Sequence, residues 1–202
     1  MSSAWTVCNR EQRLHRFLSV AMLPFTDAAS VRGQVAGIGF GANIGPALQT
    51  LQDAWRRVQQ HPRIHPLTIS SPYRSRPVDM NSTNWFINAV ALIRTTLPPQ
   101  ALLHLLQTIE EEFGRTRILS GSVPQDRTLD LDLLFYADCR MQTETLTLPH
   151  PRMAKRLFVL DPLAEIAGDL ILPSTDQPVR TVRDSLRLGA ANQQVEKSCW
   201  PS

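Results

Sequence analysis

A chain of 202 residues is long enough for one sizeable core and not for two. Its 43% hydrophobic and 19% charged content are those of a globular protein, and a net charge of +3 is too small to argue for nucleic acid. All basic residues but Lys155 and Lys197 are arginine, an excess that codon bias explains as simply as phosphate binding, so only the placement of particular arginines is informative. Cys8, Cys139 and Cys199 show neither metal-ligand spacing nor an even-numbered framework, which fits a reducing cytoplasm. No stretch reaches the length of a membrane span.

Along the chain, residues 1–33 come first. Arg10, Arg13 and Arg16 precede FLSVAMLPF, which faintly resembles a signal peptide, but Glu11, Ser19 and Pro24 interrupt it. The expectation is a poorly ordered extension. Gln34 to Gly41 reads as a short apolar strand ending in glycines. Pro46 to Gln60 comes next as a helix, with Leu48, Leu51, Ala54, Trp55 and Val58 at helical spacing and Pro46 in its first turn. Ile64 to Tyr73 is a second strand and Trp85 to Thr95 a third. Pro98 and Pro99 open a helix that runs to Phe113 and stops at Gly114. A strand from Arg127 to Tyr136 and a helix from Arg152 to Ala167 complete the pattern. The β-α-β-β-α-β order predicts an α+β, ferredoxin-like sandwich with a C-terminal extension, its helices on one face of an antiparallel sheet. The division expected is an extension over 1–33, a domain over 34–172 and a tail over 173–202.

The last strand carries an anomaly. In QDRTLDLDLLFY, Asp130 and Asp132 interrupt a run that otherwise belongs in a core, and aspartate is a poor strand former and costly to bury unpaired. Side chains two apart share a strand face about 7 Å apart. Leu129, Leu131 and Leu133 therefore pack on one face while both carboxylates meet on the other. Like charges so close repel unless a positive group lies between them. One explanation is an exposed face with two solvated acids. The other is a pair of hard oxygen ligands for magnesium, with Arg127 beside them as a planar donor for phosphate.

Other candidates are weaker alone. GFGANIG lacks the third glycine of the dinucleotide fingerprint and its parallel context, so its glycines read as a tight strand-to-helix turn. On a wheel of about 100° per residue, Glu110 falls inside the apolar arc of the second helix, between Leu106 and Leu103. With Arg115 and Arg117 close behind, a polar cluster is the better reading than a surface glutamate. His150 sits in PHPRM beside Arg152, Lys155 and Arg156, which suits either a structural turn or a polyphosphate. No Ser, Thr or Cys pairs with it, so a nucleophilic mechanism has little support.

Taken together these segments resemble the 6-hydroxymethyl-7,8-dihydropterin pyrophosphokinase family, over about Val35 to Leu172. RTLDLDLL matches the family signature, and GANIG, SSPYRSRPV, FINAVAL, QTIEEEFGRTR and LPHPRMAKRLFVLDPLAEIA stand in family order. The resemblance implies pyrophosphoryl transfer from ATP to the pterin hydroxymethyl group in folate biosynthesis, with release of AMP. It implies two magnesium ions on Asp130 and Asp132, and Arg115 and Arg127 stabilising the transferring group. It places Gln107, Glu110, Arg117, Thr147, His150 and Arg156 around ATP. The pterin would stack between Phe86 and Phe158, held by Asn88 and by backbone near Ser75 and Val78. A cytoplasmic monomer acting on small molecules, without nucleic acid or membrane, is expected.

The chain also departs from the family. The loop ILSGSVPQD lacks the usual tryptophan and basic residues, Arg76 replaces a proline and Pro151 an aromatic residue. Asp126 stands where proline is usual and is expected to repel phosphate or pair with Arg127. The loop from Ile118 to Asp126 is expected to close over ATP. Alternative functions on this pattern are a magnesium-dependent phosphohydrolase and a non-catalytic pterin- or nucleotide-binding module. The latter should have lost an aspartate or key arginine, and none is lost.

Overall fold

The computed structural model describes residues 32–78, 82–115, 126–189 and 192–200. In chain order its elements are β1 (Gln34–Ala42), α1 (Ala47–Gln59), β2 (Ile64–Ile69), β3 (Tyr73–Ser75), β4 (Phe86–Thr95), α2 (Pro99–Glu112), β5 (Asp130–Tyr136), β6 (Met141–Gln142), β7 (Thr147–Leu148), α3 (Leu157–Ala167), α4 (Val179–Gly189) and β8 (Val195–Lys197). A 3-10 turn at Met153–Lys155 leads into α3. Arg117 and the loop over 116–125 lie outside the described residues, as do residues 1–31.

β1 lies between β5 and β4, antiparallel to both, with β2 and β3 along the far edge of β4 and β8 outside β3. The strand expected from Ile64 to Tyr73 is broken in two. Pro72 has no N–H for a ladder, and Ser70 takes over locally. Its N–H donates to the Val90 carbonyl at 2.9 Å, and its hydroxyl accepts the Val90 N–H at 3.1 Å.

Alternation sorts the core into two layers. Ala36, Ile38, Phe40, Leu129, Leu131 and Leu133 pack with Leu51, Ala54 and Val58 of α1 and Leu102, Leu106 and Ile109 of α2. Each fully buried large aliphatic side chain contributes roughly 1.5–3 kcal/mol. Val90, Leu92, Leu134 and Phe135 turn the other way, onto Leu160 and Leu163 of α3 and Val179 and Val182 of α4. The expectation of helices on one face only is therefore corrected. α3 and α4 roof part of the second face, because their apolar residues need a sheet to cover them, and the main space for a ligand on that face lies beside the roof.

Two local devices aim the site residues. Gly114, at φ +82°, ends α2 in a Schellman motif: its N–H bonds the Glu111 carbonyl at 3.0 Å and the Arg115 N–H bonds the Glu110 carbonyl at 3.0 Å. The chain thus turns back and sets Arg115 over Glu110. At the start of the aspartate strand, the Asn43 N–H donates to the Arg127 carbonyl at 3.1 Å and Asn43 Oδ1 accepts the Arg127 N–H at 2.8 Å. Among the described residues no helix is long and apolar enough to cross a membrane.

Candidate active site

The floor of the site is made by what β1 lacks. Gly37, Gly39 and Gly41 alternate along it and share the face of Asp130, Asp132 and Leu134. A Cβ on Gly39 would meet Leu134 Cδ2 at 3.4 Å; one on Gly41 would meet Asn88 Oδ1 at 3.5 Å and Asp130 Cβ at 3.8 Å. The bare backbone leaves a cavity of about 290 Å³, near the lower size of small-molecule sites. The glycines are thus not all turn residues, as the sequence suggested. Gly39 and Gly41 belong to the strand, and it is Gly45, at φ +68°, that serves the turn.

At one end the cavity is ionic. Asp130 accepts from two arginines: Arg115 Nη1 reaches Oδ1 at 2.5 Å and Arg127 Nη1 reaches Oδ2 at 2.6 Å. Arg115 also binds the carboxylate of Glu110, which is 1% exposed and takes the Leu131 N–H at 2.7 Å. Burial opposes the Arg115 charge, but Asp130 and Glu110 outweigh it and raise its pKa. Asp132 shares the face without sharing that pairing. Burial, then repulsion from Asp130, pushes its carboxyl up to about 6. The repulsion foreseen between the two aspartates is thus answered for Asp130 by arginine and persists at Asp132.

The far end is aromatic and amide-lined. Phe86, Asn88, Phe158, Ser75 and Val78 all border the same cavity. Asn88 Nδ2 donates to Ser75 Oγ at 2.9 Å and to the Tyr73 carbonyl at 3.4 Å, which orients its amide. Beside this wall, the guanidinium groups of Arg74 and Arg76 lie over the Trp85 ring at 4.0 and 4.7 Å.

His150 and Arg156 also border the cavity. The His150 N–H donates to the Leu134 carbonyl at 2.8 Å, which fixes it at the outer edge of β5. Burial, then the charges of Arg156 and Arg152, pulls its imidazole down to about 4. It is therefore neutral at pH 7. Nδ1 accepts the Arg152 N–H at 3.2 Å, which assigns the ring proton to Nε2. Thr147 lies in a second cavity of about 270 Å³ along the β5 edge, shared with Asp132 and His150. Glu110 is buried behind the site, and Gln107, half-buried on α2, borders neither cavity.

Arg152, which the basic run in PHPRM singled out without a specific role, borders the main cavity. Other contributors were not foreseen. The period-two glycines were the signal for the floor. Asn43 had none. Asp126 is held chiefly by amides and less by Arg127: it accepts Asn43 Nδ2 at 2.6 Å and Asn84 Nδ2 at 2.7 Å. A hydrogen bond from Ser82, then those from Asn43 and Asn84, lowers its pKa, with Arg127 a lesser cause. It is a tie between the β1–α1 turn and the loop before β4.

Comparison with known proteins points one way. A protein-family model described as 7,8-dihydro-6-hydroxymethylpterin-pyrophosphokinase matches residues 37–168. The chain is 42% identical over 140 residues to a 2-amino-4-hydroxy-6-hydroxymethyldihydropteridine pyrophosphokinase of Haemophilus influenzae, covering 69% of this chain and 86% of that one. It is 42% identical over 163 residues to the protein of that name from Bacillus subtilis, covering 81% and 95%. Among solved structures, a crystal structure of HPPK-DHPS in complex with substrates aligns with a TM-score of 0.65 at 13% identity. It covers 79% of this chain, which spans 44% of that larger protein, and it bears on the fold alone.

Proposed function

Because the chain belongs to the 7,8-dihydro-6-hydroxymethylpterin-pyrophosphokinase family and transfers pyrophosphate from ATP to 6-hydroxymethyl-7,8-dihydropterin in folate biosynthesis, we propose that the cavity floored by Gly39 and Gly41 is where the two substrates meet. The pterin occupies the aromatic end, its flat ring between Phe86 and Phe158 and its polar edge on Asn88, with Ser75 and Val78 beside it. The triphosphate lies at the ionic end. Thr147, at the β5 edge, stands near the nucleoside, and Glu110 acts from behind by holding Arg115. Gln107 and Arg117 are assigned to the nucleotide by family pattern.

The donor set fits magnesium. Two carboxylates on one face of β5, one raised by burial and then by its neighbour, favour a cation between them, and among the described residues no group of three or more His, Cys, Asp or Glu side chains would complete a protein-only site. That is the arrangement in which substrate phosphates supply the missing ligands. Two ions held there by Asp130 and Asp132 would neutralise charge on the triphosphate. The arginine N–H groups that Asp130 now accepts are the donors phosphate oxygens would take. Neutral His150 would add its Nε2–H, and Arg156 a second positive charge. A new bond forms between the pterin hydroxymethyl oxygen and the β-phosphorus of ATP as the hydroxyl proton passes to water, the bond from that phosphorus to the oxygen bridging the α-phosphate breaks, and AMP leaves with the electron pair. Positioning and charge stabilisation carry such a transfer, with no covalent enzyme intermediate.

The single observation that supports this assignment most is the pairing of Asp130 with both Arg115 and Arg127 at one end of a cavity whose other end holds Phe86, Asn88 and Phe158. A phosphohydrolase would need no aromatic slot, and the family match does not favour it or a non-catalytic module. The strand order β5-β1-β4-β2 supports a ferredoxin-like sandwich within residues 34–172, to which the tail adds α4 on the second face and β8 beside β3. The cysteine pattern supports a cytoplasmic setting, and we read the chain as a monomer that binds neither nucleic acid nor membrane. The test is product analysis with ATP, magnesium and hydroxymethyldihydropterin. AMP and the pterin diphosphate should appear together and only when all three are present; ADP as product, or turnover without pterin, would overturn the assignment.

A further inference from the structure

Two successive residues near the end of the described chain hold two walls of the cavity's aromatic end. The Gln193 side chain accepts the Leu157 N–H at 2.8 Å and donates to the Lys155 carbonyl at 2.9 Å. It thereby caps α3 at its first residue, one position before Phe158. Gln194 holds the other wall. Its backbone carbonyl accepts the Arg76 N–H at 3.1 Å, and its Oε1 accepts Arg76 Nε at 3.1 Å. Arg76 in turn lies over Trp85, the neighbour of Phe86.

The residues beyond the two glutamines are anchored independently. Val195 to Lys197 pair with β3, the Ser198 N–H donates to the Pro72 carbonyl at 2.8 Å, and Trp200 Nε1 donates to the Ser70 carbonyl at 3.0 Å. A strap fixed to the sheet edge therefore delivers two amide side chains, one to each wall. Neither glutamine borders the cavity, and both lie beyond the residues matched by the family model.

We propose that Gln193 and Gln194 are positioning residues for the pterin: together they set the separation between Phe158 on α3 and the wall formed by Ser75 to Val78 and Phe86. The inference rests on reading the aromatic end as the pterin site. Its physical basis is preorganisation. A flat ring gains most from two faces already held at stacking distance, and ordering a loose wall on binding subtracts from affinity. Most of the ionic end is anchored by other contacts, from Asn43, Glu110 and Gly114. Arg156 lies between the two groups that Gln193 holds, so loosening Gln194 should weaken pterin binding alone, while loosening Gln193 should weaken the nucleotide as well.

The experiment uses the full chain with Gln193→Ala, Gln194→Ala, the double variant and Phe158→Ala. Steady-state kinetics give KM for the pterin and kcat, and calorimetry with a non-hydrolysable ATP analogue gives nucleotide affinity. Each glutamine variant should raise the pterin KM about three- to tenfold, the loss of about one hydrogen bond. Gln194→Ala should keep its kcat and its affinity for the analogue within about twofold, whereas Gln193→Ala should also weaken the analogue, through Arg156. An unchanged pterin KM in both single variants, or a fall in kcat with KM unchanged, overturns the proposal. The single substitutions leave the β3–β8 backbone pairing in place, so they carry the test if the double variant fails to fold. Phe158→Ala separates the two readings. If it weakens pterin binding while the glutamine variants do not, only the strap is wrong; if it too leaves pterin binding intact, the site assignment fails.

Discussion

The buried carboxylate of Glu110 accepts the Leu131 N–H at 2.7 Å, at the outer edge of β5 where a further strand would otherwise pair. The same oxygen binds Arg115. One side chain on α2 therefore fixes both the edge of the aspartate strand and an arginine of the site. Glu110→Gln can still offer an oxygen to Leu131 but no charge to Arg115. It should fold, and lose about tenfold or more in turnover. Glu110→Ala strands a buried N–H and should also cost about 1–3 kcal/mol in urea unfolding. Normal turnover in Glu110→Gln would show that Arg115 needs no such hold.

Asp130 and Asp132 are equivalent in sequence pattern but not in surroundings. Either alanine variant should lose at least about 100-fold in turnover with magnesium present, a few kcal/mol of charge stabilisation. Their stabilities without metal should diverge. Asp130→Asn leaves Arg115 and Arg127 without their shared carboxylate and should lower Tm. Asp132→Asn removes a carboxylate that burial and Asp130 disfavour, and should leave Tm unchanged or higher. Thermal melts in chelator resolve the pair, and an equal loss in both variants would contradict the asymmetry.

Replacing Asp126 by proline moves the chain toward the family pattern, and from sequence it should tighten ATP binding. The structure reverses that expectation. Proline would release Asn43 and Asn84, and Asn43 also receives the Arg127 N–H. Asp126→Pro should therefore weaken binding of a non-hydrolysable ATP analogue about two- to fivefold, by loosening Arg127, an effect of up to about 1 kcal/mol. Tighter binding by calorimetry would restore the repulsion account.

Glu165 fastens α3, and with it the Phe158 wall, to the sheet. It accepts Ser71 Oγ at 2.8 Å and the Tyr73 hydroxyl at 2.8 Å. Burial acts to raise its pKa, but these hydrogen bonds prevail and it falls below 4.5. A carboxylate depressed on folding adds stability that is present above its unfolded value and lost as pH falls through the folded one. Glu165→Gln should thus lower stability by about 1 kcal/mol at pH 7. That difference should shrink as the pH is taken below 4.5. A gap that persists or widens in acid would mean the stabilisation is not ionic.

Local periodicity and chemical type account for everything that could be read from the residues alone. The alternation around Asp130 and Asp132 put both carboxylates on one face with the leucines opposite, because a strand's side chains have no other choice. Pro99 and Gly114 bounded α2, and the helical wheel turned Glu110 inward. The family pattern named Arg115, Arg127, His150, Phe86, Asn88 and Phe158, and folding brings all six to one cavity. Packing between residues distant along the chain governs the rest. Nothing local says that Asp130 receives both arginines while Asp132 is left to burial, or that Asp126 answers to Asn43 and Asn84 across 83 and 42 residues. Nor could it say that α3 and α4 roof the second face, or that a tail past the family pattern returns to grip both walls of the aromatic slot. Those outcomes depend on which surfaces need cover and which polar groups lack partners after collapse, and periodicity carries no record of either.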